Sequence, residues 1–62
     1  GSIRNFWAED EARAKELLTA MLQDGAVRGG IVPRAYRDAF EAMGFVTAPH
    51  RKNFLEVRYE AD

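Results

Sequence analysis

Apolar residues recur with a helical period along the first third of the chain. Those between residues 5 and 24 return at intervals close to 3.6 residues: Trp7, Ala14, Leu17, Leu18, Met21 and Leu22. Asn5 can cap the start of such a helix, and the acidic residues at positions 9–11 would lie near the positive end of its dipole. Gly25 can end it in a left-handed conformation. The pattern predicts an amphipathic helix over residues 5–24.

A second helical stripe lies near the middle of the chain. Its apolar positions follow the spacing i, i+3, i+4, i+7: Tyr36, Ala39, Phe40 and Met43. Pro33 suits the first turn of a helix, and Gly44 is typical of a helix end. The spacing predicts a helix over residues 33–43.

The segment between these helices favours extended structure. Ile31 and Val32 are β-branched, and Pro33 restricts Val32 to an extended backbone. The Gly29–Gly30 pair allows a bend. We expect a brief edge strand here.

Residues 45–60 combine two β-prone segments around a turn-forming segment. Pro49 lacks an amide hydrogen, and Asn53 tolerates turn geometry. Residues 54–60 then alternate, with Leu55, Val57 and Tyr59 on one face and Glu56, Arg58 and Glu60 on the other. The alternation predicts a hairpin. A third helix capped by Thr47 is the alternative, but the three apolar residues fall on no single helical stripe.

These elements predict one α+β domain in the order α-β-α-β-β, with two helices packed on a small three-stranded antiparallel sheet. The chain has 62 residues, which is enough for one domain at most. Residues 1–2 are interpreted as a tag remnant, and residues 3–62 as a single small binding domain from a larger protein.

Composition excludes several classes of protein. The apolar fraction of 47% is ordinary for a globular domain, and no apolar run approaches the roughly 20 residues of a membrane span. The chain has no cysteine, so no disulfide or thiolate metal site can form, and a cytoplasmic location is expected.

Catalytic and metal-binding chemistry finds little support. His50 is the single histidine, and no cysteine is present to act as a nucleophile. Residues 24–35 have the length of an EF-hand loop, but Asp24 is the only carboxylate at a ligand position. We predict a non-enzymatic protein without a metal or a cofactor.

Residues 35–60 resemble the closing half of a winged helix-turn-helix domain. Such domains end in a recognition helix, a Gly-apolar step and a hairpin wing with a basic tip. Residues 35–43, 44–46 and 49–53 match these parts in that order. Residues 25–32 are too few for the additional helix that the family places before the recognition helix. The resemblance implies binding to duplex nucleic acid.

Charge is unevenly distributed along the chain. The net charge is −1, yet residues 26–55 carry five Arg and Lys residues against Asp38 and Glu41. Arg and Lys at a helix start and a hairpin tip can contact phosphates. The predicted nucleic-acid-binding residues are Arg28, Arg34, Arg37, His50, Arg51 and Lys52. The competing interpretation is that Arg34 and Arg37 pair with Asp38 and Glu41, while the tip is only solvated.

The alternative function is protein–protein docking. Phe6 and Trp7 open the first helix, and a short helix cannot easily turn both rings inward. An exposed aromatic residue can anchor an interface, and the edge of a small sheet can accept a strand from a partner. A partner is therefore predicted to be either nucleic acid or protein, and no membrane is involved. Both rings could instead cover the core.

Overall fold

The computed structural model describes residues 2–25 and 27–60. Gly1, which the sequence analysis interprets as part of a tag remnant, lies outside these residues. Two helices and four strands follow one another, with a 3₁₀ turn at Arg34–Tyr36 before the second helix. Their bounds are β1 Ser2–Ile3, α1 Glu11–Asp24, β2 Gly29–Pro33, α2 Arg37–Ala42, β3 Phe45–His50 and β4 Phe54–Tyr59. The predicted α+β class with two helices is confirmed.

The sheet is mixed and has four strands in the order β1-β2-β4-β3. Strand β1 pairs in parallel with β2, whereas β4 pairs antiparallel with both β2 and β3. The predicted three-stranded antiparallel sheet is therefore wrong, and β2 is an inner strand instead of the expected edge strand. A two-residue strand such as β1 shows no periodicity in the sequence. The buried side chain of Ile3 anchors β1 in the core.

The Gly29–Gly30 pair lies inside β2 and forms no bend. A Cβ added to Gly30 would stand 2.5 Å from the carbonyl oxygen of Ile3 and 2.6 Å from its nitrogen. A Cβ added to Gly29 would meet the carbonyl oxygen of Val57 equally closely. The two glycines thus allow β2 to lie between β1 and β4 at short distance.

Helix α1 begins later than the sequence predicts. Asp10 is its N-cap, because the Asp10 carboxylate accepts a hydrogen bond of 2.8 Å from the Arg13 amide. The predicted cap, Asn5, instead has a positive φ of 53° in an irregular segment. Gly25 ends the helix in the left-handed region with φ 72°, as predicted.

The second helix is also shorter than predicted. Pro33 has φ −60° and ψ 140°, so it completes β2 opposite Phe54 and does not start the helix. Six α-helical residues follow the 3₁₀ turn. Gly44 then takes a positive φ of 96°, and its amide donates to the Glu41 carbonyl at 3.1 Å.

Residues 45–59 form the predicted hairpin, and the alternative third helix is wrong. Phe45 pairs with Tyr59 and His50 pairs with Phe54, which leaves a turn over residues 51–53. Leu55 and Val57 are buried on the face that meets the helices.

The core lies between this sheet face and the helices. Five aromatic rings form a continuous edge-to-face or tilted chain through it, with centroids 5.0–5.2 Å apart. They are Tyr36, Phe6, Phe40, Phe45 and Tyr59. Such ring geometries add to the stabilisation from burial alone.

Candidate functional site

A backbone contact joins the 3₁₀ turn to the hairpin tip. The Arg34 amide donates to the Asn53 carbonyl at 2.9 Å. This bond continues the pairing of Pro33 with Phe54 beyond the strand ends. Four predicted site residues therefore meet at one end of the sheet, which we call the basic end: Arg34, His50, Arg51 and Lys52.

Side chains of the basic end are available to solvent. Arg34, Arg51 and Lys52 are exposed, and His50 is half-buried at the end of β3. Arg51 has a positive φ of 62°, which the tight turn between β3 and β4 requires. Within residues 2–25 and 27–60, Arg34, Arg51 and Lys52 make no ion pair. The basic end therefore carries uncompensated positive charge.

Arg37 lies one turn further along and is partly neutralised. Its guanidinium is 3.5 Å from the Glu41 carboxylate, which also accepts a hydrogen bond of 2.8 Å from the Thr47 hydroxyl. The competing pair of Arg34 with Asp38 is not formed in the part of the chain that the structure describes. Arg34 is thus free to contact another molecule, whereas Arg37 is engaged within the fold.

Arg28 does not join the basic end. Its carbonyl accepts the Tyr59 amide at 2.7 Å, next to the pairing of Gly29 with Arg58. Strand β2 separates it from Arg34 by six residues, a span of roughly 20 Å. The six predicted residues are therefore divided between opposite ends of the sheet.

The two aromatic residues of the docking alternative have different environments. Phe6 is 8% exposed and packs edge-to-face on Tyr36 and Phe40, so its ring cannot anchor a partner. Trp7 is 71% exposed. The expectation that one ring covers the core while the other stays outside is met.

The segment that carries Trp7 is held firmly. Ala8 is buried, and the Tyr36 hydroxyl bonds to both its amide and its carbonyl at 3.0 Å. With Phe6 buried on the other side, Trp7 projects between two fixed neighbours.

Sequence reasoning did not single out the open face of the sheet. This face, opposite the helices, presents large apolar side chains to solvent: Ile31, Val46 and Phe54. Ile31 lies on β2 and Val46 on β3, and Phe54 shares the middle strand β4 with Glu56 and Arg58. A shallow depression of about 610 Å³ covers the centre of this face. The alternation of β4 located the exposed face, but only strand order could show which residues of β2 and β3 share it.

Comparison with family models, curated proteins and solved structures found no significant match to this chain. Among the described residues, no helix has the length and apolar character needed to cross a bilayer. The same residues contain no group of three or more His, Asp or Glu side chains placed to hold a metal ion.

Proposed function

We propose that this chain is a non-catalytic module that binds duplex nucleic acid through its basic end. The observation that carries the proposal is the bond between the Arg34 amide and the Asn53 carbonyl, since it brings a helix start and a hairpin tip together. Cations from two separate segments then face outward at one place. Such clusters contact the phosphates of a duplex.

Local charge supports this proposal despite the net charge of −1. Arg34, Arg51 and Lys52 have no partner carboxylate in the described parts of the chain. Two of the acidic residues of α1 are engaged within the helix, since Glu11 pairs with Lys15 and Glu16 pairs with Arg13. Binding is therefore expected to be electrostatic, moderate in affinity and insensitive to base sequence.

A salt titration with a short DNA duplex tests the proposal. Three phosphate contacts give a slope of log K against log salt of about −2.7, so affinity should fall about 40-fold between 50 and 200 mM salt. The double variant Arg34→Glu/Arg51→Glu should abolish binding, as measured by fluorescence anisotropy of a labelled duplex.

The control variant Arg13→Glu/Lys15→Glu makes the same change in net charge on α1. It should retain at least a large part of the affinity, because Arg13 and Lys15 lie on α1 and already pair with Glu16 and Glu11. Equal loss in both double variants would contradict a local site. Circular dichroism checks that each variant is folded.

Protein docking through Trp7 is a second candidate, supported by the exposure of this ring on a segment fixed at Phe6 and Ala8. Trp7→Ala distinguishes the two functions. Duplex binding should survive this substitution unchanged. A salt-insensitive complex with a protein, lost in Trp7→Ala, would favour docking instead.

A further inference from the structure

Two neighbouring rows of the open sheet face have complementary side chains. The strand register places Gly29 and Val46 on either side of Arg58. The next row on this face, two residues along, places Ile31 and Ala48 on either side of Glu56. Each row therefore has one large and one small apolar position with a charge between them, and the second row reverses the size and the sign of the first.

If a second copy is generated by a two-fold axis, the first row of one copy can lie opposite the second row of the other copy. The axis lies in the plane of the face, perpendicular to the strands and between the two rows. It brings Arg58 of one copy opposite Glu56 of the second. On the flanks, Ile31 meets the space above Gly29, and Val46 meets Ala48. All of these contacts occur twice, as in any isologous interface.

We propose that this chain forms a symmetric homodimer by packing the two open faces against each other. Sheets in such packings lie about 10 Å apart with their strands nearly aligned. Opposite charges in the centre fix the orientation, because a two-fold axis parallel to the strands would place Arg58 against Arg58. The side chain of Arg58 is 69% exposed, although its guanidinium pairs with Glu60 of the same chain. A guanidinium has five N–H donors, so this pair leaves donors for Glu56 of the second copy.

The dimer is expected to be weak. Three strands spaced about 4.8 Å apart offer a face well below the roughly 800 Å² per partner of a standard interface. Most of the binding should come from Ile31 and Val46, while the charges select the register. Measurements must therefore extend to protein concentrations of about 1 mM, where weak association becomes populated.

A charge-reversal cycle tests this arrangement. Glu56→Arg and Arg58→Glu should each lower the association constant at least about tenfold, because like charges then face each other twice. The double variant Glu56→Arg/Arg58→Glu restores opposite charges and should return the association constant to near that of the parent chain. Sedimentation velocity over a concentration series gives the constants, and circular dichroism confirms folding.

Glu16→Arg is the matched control, since it makes the same charge change on the exposed surface of α1 and should leave association unchanged. A chain that remains monomeric at about 1 mM overturns the proposal. So does a dimer that tolerates either single reversal, which would point to pairing through the free edge of β3. Failure of the double variant to recover also rejects the proposed register.

Discussion

Gly30 lies where two strands pass unusually close to each other. An added Cβ would stand 2.5 Å from the carbonyl oxygen of Ile3 and 2.6 Å from its nitrogen. Both atoms belong to the backbone, so they cannot rotate away as a side chain could. Gly30→Ala should therefore displace β1 and lower the free energy of unfolding by about 1–3 kcal/mol. Urea denaturation measures this loss, and the backbone NOE contacts between Ile3 and residue 30 should disappear.

Gly25→Ala provides the comparison for this prediction. Gly25 has a φ of 72°, but a Cβ there would meet no atom within 4 Å. Its substitution costs only the backbone strain of a left-handed alanine, about 1–2 kcal/mol. The contacts of Ile3 should survive. Their loss in Gly25→Ala, or their persistence in Gly30→Ala, would contradict the close approach of β1.

The same glycine shows where sequence reasoning stopped at the residue scale. A glycine pair is compatible with a bend, a bulge or a close backbone approach, and these differ only in what lies beside it. Periodicity did locate the buried Leu55 and Val57, because alternate residues of a strand share a face. The face on which a strand residue lies can be predicted from the sequence alone, whereas the strand that lies beside that residue cannot.

At the scale of elements, the start of α1 depends on one side chain. The Asp10 carboxylate satisfies the Arg13 amide, which has no helical partner of its own. Asp10→Ala should lower the free energy of unfolding by about 1 kcal/mol. Glu9→Ala removes a neighbouring exposed acid that makes no hydrogen bond among the described contacts, and it should have little effect. Chemical denaturation distinguishes the two, and equal losses would contradict the cap.

The first helix was predicted six residues too long for a physical reason. Trp7 falls on the apolar stripe of the helix and residues 6–9 include no glycine or proline, so the pattern continues the helix towards Asn5. Tertiary contacts oppose it: Phe6 packs on Tyr36 and Phe40 at centroid distances of 5.1 and 5.0 Å. Packing in the core outweighs local propensity over such a short segment.

At the scale of the whole molecule, the candidate site was only partly predictable. The sequence identified the cations but not their arrangement, since the contact between Arg34 and Asn53 joins residues distant along the chain. The hairpin prediction placed Arg51 and Lys52 at a tip, which is correct. The expected edge strand between the helices, by contrast, did not reveal that Arg28 lies at the end of β2 opposite to Arg34.

The two proposed surfaces have a joint consequence for duplex binding. A two-fold axis at the level of residue 57 sends the two basic ends in opposite directions along the strands. Each tip lies about five residues from the axis, so the tips are roughly 30 Å apart. One turn of B-DNA is about 34 Å, the usual spacing between half-sites of a symmetric binder. A duplex that runs along the strand direction could therefore pass both basic ends of one dimer, about one turn apart.

Duplex length tests this geometry. A duplex of about 20 base pairs should bind two chains cooperatively, whereas one of about 10 base pairs should bind a single chain. Ile31→Gln changes no charge but weakens the apolar contact of the open face. It should remove the cooperativity and retain the affinity for the short duplex, as followed by isothermal titration calorimetry. Independent binding of two parent chains to the longer duplex would show that the open faces do not meet on DNA.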